Sequence, residues 1–317
     1  MAAPSQTGAA PAIEAVGLGL ATQRRSPAVQ LLGDYLELTK PKVQSLLLLT
    51  TIATMYVAGD PSPALVALTC LGGYLSAGGA GAVNHWFDRD IDAQMKRTAG
   101  RPIPAGRVSP QAALTFGCVL ALLSLLELSL CVNPLAAALS FSGFLGYVFV
   151  YTVWLKRRTP QNIVIGGAAG AVPPLVGWAA VTGSVSGTAV MLFFIVFFWT
   201  PAHFWALSLL MQDEYRKVGV PMLPVVRGEA ETRKQIVLYS VLLYAVTQLP
   251  FCAGGFGLTY LAASMVLGLG FIAGAVRLYR CAGRSRTIGR RSALQLYLYS
   301  LAYLALLFCA MVADVHV

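Results

Sequence analysis

The sequence predicts an all-α membrane protein, with about nine transmembrane helices bundled around a central cavity. Of its 317 residues, 57% are hydrophobic and only 11% are charged, a balance typical of an integral membrane protein rather than a soluble domain. Apolar stretches of roughly 20 residues, the length a helix needs to cross a bilayer, recur along the chain. The alternating pattern of a membrane barrel is absent, so helices are the expected spanning form.

Nine apolar stretches are predicted to span the membrane as helices. In chain order they are Val43–Ala58, Ala64–Val83, Gln111–Cys131, Leu135–Leu155, Asn162–Thr182, Thr188–Met211, Ile236–Phe251, Gly257–Leu278 and Ala293–Ala313.

Prolines mark both the ends and the interiors of these spans. Four capping or turn-forming residues each precede a proline, which favours a helix start at that point: Ser62, Ser109, Asn133 and Thr159. The pair Pro173-Pro174 is expected to kink the fifth span, and Pro201 the sixth. Kinks at membrane depth need an interior lined by protein or water, which is why we predict a central cavity.

Positive charge alternates between the connections of the predicted helices. All 23 Lys and Arg residues fall in the N-terminal segment or in connections near 84–110, 156–161, 212–235 and 277–292. Because Lys and Arg stay on the cytoplasmic side, we expect a cytoplasmic N-terminus and a periplasmic C-terminus in a bacterial inner membrane. The net charge of +10 then reflects topology and anionic lipids, and no nucleic acid partner is expected.

The termini and the cysteines add few constraints. Residues 1–30 are rich in Ala, Gly, Ser and Pro and are predicted to be a disordered cytoplasmic tail, with one polytopic domain over 31–317. No apolar core follows a charged start, so no cleaved signal peptide is expected.

The six cysteines lack metal-site spacing. Cys131 and Cys252 are both predicted near outer helix ends, where they are either free thiols or a disulfide.

The most informative motif follows the second span. Asn84, Asp88 and Asp92 are spaced by four residues and form one stripe if the helix continues, in which case Asp90 points elsewhere. A basic loop containing Arg97 and Arg101 comes next. Mg²⁺ is often held by one or two carboxylates together with substrate phosphates, so the motif suits a metal bound to a diphosphate. The alternative is a solvated helix end with ordinary Asp/Arg pairs.

Two further charged segments are predicted on the same membrane face. Asp213 and Glu214 follow the sixth span, and they are either a second metal-binding segment or an ordinary mixed-charge loop. Lys156 and Arg157 end the fourth span, where they either anchor the topology or clamp diphosphate oxygens.

Two more segments carry polar residues at the edge of a predicted span or within one. Lys40 and Lys42 lie at the edge of the first span, with a structural and a phosphate-binding role left open. His203 lies in an aromatic part of the sixth span. It is either a packed, hydrogen-bonded side chain or a contact to iron or porphyrin, because polar groups within a membrane are costly unless they have a function.

Together these residues resemble the intramembrane prenyltransferases of the UbiA superfamily, and most closely its heme O synthase branch. Superfamily members often carry Asp directly after the motif Asn, where this sequence has His85. The segments that carry the resemblance are Leu38–Val43, Asp88–Ala93, Arg97–Ala99, Tyr151–Asn162, Trp199–Leu207 and Gly219–Val226.

The resemblance implies that the farnesyl group of farnesyl diphosphate passes to a vinyl group of heme B, with addition of water, to give heme O. It implies Mg²⁺ as cofactor, the lipid bilayer as surroundings, and a heme A synthase and a terminal oxidase as partners. The implied metal ligands are Asn84, Asp88, Asp92, Asp213 and Glu214. The implied catalytic residues are Asp88, Asp92, Asp213 and Lys156. The implied substrate-binding residues are Lys42, Arg97, Arg101, Arg157, Tyr151, Asn162, His203 and Trp205.

Three rival functions remain at this stage. A prenyltransferase for a quinone or chlorophyll precursor would share the acidic motifs without needing His203. A noncatalytic heme carrier would not need two carboxylate clusters facing a basic loop. A secondary transporter would show inverted repeats and charges near the midplane, whereas Glu127 is the one carboxylate within a predicted span.

Overall fold

The computed structural model describes residues 26–281 and 286–317, and most of these residues form helices packed side by side. Two π-helical segments, Leu128–Val132 and Gly146–Leu155, each continue directly from the α-helix before them. The α-helices are α1 (Pro27–Leu38), α2 (Pro41–Ala58), α3 (Pro63–Phe87), α4 (Arg89–Gln94), α5 (Pro110–Glu127), α6 (Pro134–Leu145), α7 (Asn162–Gly170), α8 (Val172–Thr182), α9 (Gly187–Leu210), α10 (Gln212–Lys217), α11 (Leu223–Val226), α12 (Gly228–Cys252), α13 (Leu258–Arg280) and α14 (Arg286–Val315).

Eight helical segments in the described part of the chain are long and apolar enough to cross a membrane. They contain α3, α5, α6, α7 with α8, α9, α12, α13 and α14. The first predicted span corresponds to α2, which packs against α3, α8 and α14 in the same bundle. The prediction of an all-helical membrane protein with about nine spans is therefore confirmed.

Capped prolines begin three of the spans, as the sequence predicted, whereas the Thr159-Pro160 pair lies before α7, which begins at Asn162. The side chains of Ser62, Ser109 and Asn133 accept hydrogen bonds from backbone N–H groups at the starts of α3, α5 and α6, at 3.2, 3.2 and 2.8 Å. Each cap satisfies a donor that the first helical turn leaves without a partner, and the proline after it has no N–H to satisfy.

The predicted kink of the fifth span is also present. The span is divided into α7 and α8, which meet at Ala171 immediately before the Pro173-Pro174 pair. Since proline removes a backbone donor and its ring clashes with the preceding turn, continuous α-helix is interrupted at this point.

The N-terminal boundary needs a correction. Residues 27–30 belong to α1 rather than to a disordered tail, because Ser26 caps the helix and Pro27 occupies its first position. The remainder of the predicted tail, residues 1–25, lies outside the described residues. Cys131 and Cys252 are separate, exposed thiols, so the disulfide alternative is not realised.

Close backbone contact joins α2 to α8, and it supports a testable prediction. A Cβ atom at Gly177 would lie 2.4 Å from the carbonyl oxygen of Thr51. Gly177→Ala must therefore push the two helices apart, and we expect it to destabilise the protein by about 1–3 kcal/mol. Thermal unfolding in detergent measures the effect. Gly187→Ala is the matched control, since a Cβ there meets open space. Equal unfolding temperatures for the two variants would contradict this packing.

Candidate active site

The first acidic motif forms a buried stripe at the junction of α3 and α4. The backbone N–H of Asp88 donates to the carbonyl of Asn84 at 2.9 Å, and that of Asp92 donates to the carbonyl of Asp88 at 2.8 Å. Helical spacing therefore continues across the junction, although α3 itself ends at Phe87. Asn84, Asp88 and Asp92 are only 4%, 1% and 3% exposed, which contradicts the solvated helix end.

A hydrogen-bond network joins this stripe to the π-helical segment Gly146–Leu155. The amide nitrogen of Asn84 donates to a carboxylate oxygen of Asp88 at 2.8 Å and lies 3.1 Å from the hydroxyl of Thr152. Thr152 in turn donates to the backbone carbonyl of Tyr147 at 2.9 Å. Because π-helical turns are frequent at functional sites, the geometry of this segment supports its assignment to the site.

Basic side chains neutralise the buried carboxylates. Lys156 forms a short ion pair with Asp88, and Arg101 donates to Asp92 at 2.6 Å. Removing one member of such a pair leaves an uncompensated buried charge, which typically costs about 3–5 kcal/mol. The pairs therefore hold the cations and the carboxylates at one place, and topology anchoring alone does not account for Lys156.

Arg157 connects the buried carboxylates to the surface. It donates to both carboxylate oxygens of Asp90 at 2.7 Å and approaches Asp88 at 3.4 Å. This pairing lowers the pKa of Asp90 below its ordinary value, chiefly through the hydrogen bond, and raises the pKa of Arg157. The Asp90 side chain is 56% exposed and so points away from the buried stripe, as its helical position predicted.

Lys40 belongs to the buried acidic network, although the predicted substrate-binding residues include Lys42 and not Lys40. Its ammonium group donates to the side-chain oxygen of Asn84 at 2.5 Å and to the hydroxyl of Tyr147 at 3.3 Å. Burial lowers the pKa of Lys40 to about 7, with further lowering from the positive charges of Arg101 and Lys156. An anionic ligand beside it would favour its protonated form.

The backbone explains why Lys40 rather than Lys42 reaches the site. Lys40 has φ of 55° and is the one non-glycine residue in the described ranges with positive φ. Such left-handed backbone is unfavourable for a side chain and persists where surrounding structure imposes it, often at functional sites. Lys42 is exposed on the first turn of α2, and its contact with substrate stays a prediction. Pro41, which opens the helix, is the sequence signal that separates the two lysines.

The second acidic segment lies close to the basic loop but is not part of the buried stripe. The backbone N–H of Lys96 donates to the carboxylate of Glu214 at 2.8 Å, so the fold brings the two acidic segments together. Asp213 is 49% exposed and lies 3.4 Å from Arg216. Within the described residues, no cluster of three or more His, Cys, Asp or Glu is arranged to hold a metal. The predicted five-ligand set is therefore not assembled as one centre.

Three of the predicted substrate-binding residues surround this network at different depths. Asn162 is fully buried and donates to the backbone carbonyl of Lys156 at 3.3 Å, which positions that lysine. The ring of Tyr151 lies 5.4 Å from that of Tyr147, between centroids. Arg97 is exposed on the loop, close enough to act electrostatically on Tyr215.

The structure places His203 and Trp205 in the helical core, among residues of α9, α12 and α14. The His203 ring stacks on Trp199 with centroids 4.2 Å apart, and its Nδ1 lies 2.7 Å from the Ser300 hydroxyl. Trp205 packs edge-on against Tyr239 at 5.1 Å and is 2% exposed. The contacts of both residues are thus distinct from those of the acidic network.

The side chains of the acidic network and its basic partners can bind a strongly anionic group and a hard cation together. Carboxylate and amide oxygens from Asn84, Asp88 and Asp92 are the ligand types that Mg²⁺ prefers. Ammonium and guanidinium groups beside them are suited to phosphate oxygens. Such a site can stabilise a departing diphosphate, and the Tyr147 and Tyr151 rings offer apolar, electron-rich faces for an organic cation.

Sequence comparisons are consistent with this chemistry. The profile of the UbiA prenyltransferase family matches residues 47–301. A Protoheme IX farnesyltransferase from Chloroflexus aurantiacus is 54% identical over 294 residues, covering 92% of this chain and 49% of that protein. One from Symbiobacterium thermophilum is 51% identical over 288 residues, covering 90% of this chain and 95% of that protein. The chain spans about half the length of several curated relatives it matches.

Solved structures agree on the fold. A digeranylgeranylglyceryl phosphate synthase structure has a TM-score of 0.73 at 20% identity, covering 90% of this chain and 98% of that one. A UbiA homolog from Archaeoglobus fulgidus, bound to DMAPP and Mg²⁺, has a TM-score of 0.63 at 17% identity, covering 88% of this chain and 99% of that one. At these identities the likeness establishes the shared fold alone.

Proposed function

Because the chain belongs to the UbiA prenyltransferase family, we propose that it transfers the farnesyl group of farnesyl diphosphate to a vinyl group of heme B. Water adds in the same reaction, and the product is a hydroxyethylfarnesyl heme, heme O. The observation that carries the proposal is the buried network of Asn84, Asp88 and Lys156 in a chain 54% identical to a Protoheme IX farnesyltransferase. The network supports the donor, and the identity supports the acceptor.

The donor set fits Mg²⁺ bound together with a diphosphate. Mg²⁺ commonly takes only one or two carboxylates from the protein and completes its shell with water and phosphate oxygens, so a cluster of three protein carboxylates is not required. The buried carboxylates of Asp88 and Asp92, with the side-chain oxygen of Asn84, supply hard ligands for it. Bound there, Mg²⁺ would neutralise negative charge on the diphosphate. Asp213 and Glu214 remain proposed ligands from the second acidic segment.

The basic residues stabilise the leaving group. When the bond between farnesyl C1 and oxygen breaks, the diphosphate departs with the electron pair and its negative charge increases. Lys40, Lys156 and Arg101 are held beside the acidic stripe before substrate binds, so little reorganisation is needed. Asn162 positions Lys156 through its backbone carbonyl.

The remaining farnesyl cation needs an apolar, electron-rich surface. Tyr147 and Tyr151 line the π-helical segment next to the acidic stripe, and their rings can stabilise the allylic cation. The terminal carbon of a heme vinyl group then bonds to farnesyl C1. Water adds to the adjacent carbon and loses a proton, which gives the hydroxyethyl group. No side-chain nucleophile is required at any step.

The chain is a multi-pass membrane protein, and we propose that it resides in a bacterial inner membrane. The Lys and Arg distribution supports a cytoplasmic acidic network, a cytoplasmic N-terminus and a periplasmic C-terminus. A heme A synthase that would consume the product, and a terminal oxidase that would receive the heme, are proposed as partners.

Product analysis tests the proposed function. Purified protein in lipid is incubated with farnesyl diphosphate, heme B and Mg²⁺, and the pigment is examined by mass spectrometry. We expect heme carrying one hydroxyethylfarnesyl group, and none when EDTA is present. Unchanged heme from folded protein would overturn the proposal. Farnesylation of a quinone precursor in parallel reactions would then establish a prenyltransferase for that acceptor. Heme binding without any transfer would establish a noncatalytic heme carrier.

His203 is proposed as a heme contact, and this role has its own prediction. Its Nδ1 is engaged with Ser300, which leaves Nε2 for a ligand. We expect His203→Ala to weaken heme B binding about tenfold or more, as loss of an iron or hydrogen-bond contact would. The Michaelis constant for farnesyl diphosphate should stay unchanged and serves as the internal control. Unaltered heme affinity and turnover would show that His203 only packs against Trp199 and Tyr297.

A further inference from the structure

His85 is a buried side chain whose ring nitrogens are left unpaired by the part of the chain that the structure describes. It lies on α3 directly after Asn84, and it is only 2% exposed. Neither Nδ1 nor Nε2 has a hydrogen-bond partner within residues 26–281 and 286–317. Burying polar nitrogens without partners is unfavourable, and most buried polar groups in native proteins are paired. The unpaired ring nitrogens of His85 are therefore available to bind a ligand.

The surroundings of His85 indicate the charge of that ligand. The charged groups that act electrostatically on its ring are Lys40, Arg101 and Lys156, and all three are positive. The same three cations bind Asn84, Asp92 and Asp88 respectively. The three cations close enough to act on the His85 ring favour an anionic ligand beside it.

Backbone contact between α1 and α3 places His85 close to the turn that contains Lys40. One helical turn before His85, a Cβ at Gly81 would lie 3.0 Å from the carbonyl oxygen of Leu38. The end of α1 is thus packed directly against the face of α3 that leads to His85. The left-handed Lys40 follows two residues after Leu38, so the unpaired imidazole and the strained lysine belong to one corner of the site.

We propose that His85 is a substrate-binding residue that donates a ring N–H to an oxygen of the prenyl diphosphate. A neutral imidazole carries one N–H donor, and a phosphate oxygen among three cations is the acceptor that this corner favours. The proposal rests on the diphosphate half of the proposed function and is independent of the heme acceptor. It assigns a role to the residue that stands where related sequences often have Asp.

Direct binding of magnesium pyrophosphate tests this proposal without requiring turnover. The full-length protein in detergent is titrated calorimetrically with pyrophosphate in the presence of Mg²⁺. We expect His85→Leu to lose about 10- to 100-fold in affinity, the effect of losing one hydrogen bond to a charged group. His85→Asn and His85→Gln retain an N–H donor near one or other ring nitrogen, and one of them should recover most of the affinity.

Two controls separate the proposal from a structural role and from the proposed function. His316→Leu removes the exposed histidine near the C-terminus and should bind pyrophosphate as the wild type does. The Michaelis constant should rise in His85→Leu for farnesyl diphosphate and not for heme B. If that variant does not fold, the Asn and Gln variants carry the comparison. Wild-type affinity in every His85 variant, affinity lost equally in all of them, or no pyrophosphate binding by the wild type would overturn the proposal. Pyrophosphate binding without heme farnesylation would overturn the proposed acceptor alone.

Discussion

Replacing Asp88 with Asn is expected to lower farnesyl transfer by about 10²–10³-fold or more, the range observed when one preorganised electrostatic contact to a transition state is lost. The substitution keeps the shape of the side chain but removes the charge that Lys156 and Arg157 neutralise. It also removes a hard oxygen ligand from the proposed metal site. Initial rates of heme O formation, at saturating substrates, measure the loss.

Asp90→Asn is the matched control for this substitution. Asp90 is two residues away, carries the same charge and also pairs with Arg157, but it is exposed. A surface ion pair contributes only about 0–1 kcal/mol, so we expect less than roughly a fivefold change in rate. Equal losses in both variants would show that Arg157 pairing, rather than the buried carboxylate, supports the reaction. Wild-type rates in Asp88→Asn would contradict the proposed site.

Replacing Lys40 with Met is the second substitution with a large expected effect. Met retains the length and apolar character of the side chain, but it loses the ammonium group that contacts Asn84 and Tyr147. We expect turnover to fall about 10²-fold, because one cation near the leaving group is lost. Lys40→Gly should lose activity similarly, although it relieves the unfavourable backbone conformation at φ of 55°. Initial rates and unfolding temperatures separate the two effects.

Lys42→Met controls for the loss of a basic residue at this membrane edge. Lys42 is exposed on the first turn of α2, so its removal should leave turnover within about twofold of the wild type, as for most surface substitutions. The turnover of the Lys40 and Lys42 variants also shows which lysine supports the reaction: Lys40, as the structure indicates, or Lys42, as the sequence predicted. Loss of activity in Lys42→Met, with wild-type activity in Lys40→Met, would contradict the geometry.

The features that the sequence predicted well are those that depend on local physical rules. Span positions follow from apolar length, and the starts of α3, α5 and α6 follow from a capping side chain before proline. Four-residue spacing predicted that Asp88 would share a face with Asn84 while Asp90 would not, and the burial of Asp88 and exposure of Asp90 agree.

The features that the sequence did not predict depend on contacts between distant elements. Lys40 reaches Asn84 across 44 positions of the chain only because the turn between α1 and α2 adopts a left-handed residue. Spacing alone could not show that Asp213 would remain exposed, because its depth depends on how α10 packs after α9 ends. The unpaired nitrogens of His85 were equally invisible, since a sequence contains no information on which buried groups lack partners.

A structure of the full-length protein with farnesyl thiodiphosphate and Mg²⁺, determined by cryo-electron microscopy in lipid, tests the site most directly. We expect density for the metal and diphosphate against Asn84, Asp88 and Asp92, with Lys40 and Lys156 contacting phosphate oxygens. The prenyl chain should leave that position alongside Tyr147 and Tyr151. Diphosphate density elsewhere, with the Lys156–Asp88 and Arg101–Asp92 ion pairs intact, would contradict the proposed site.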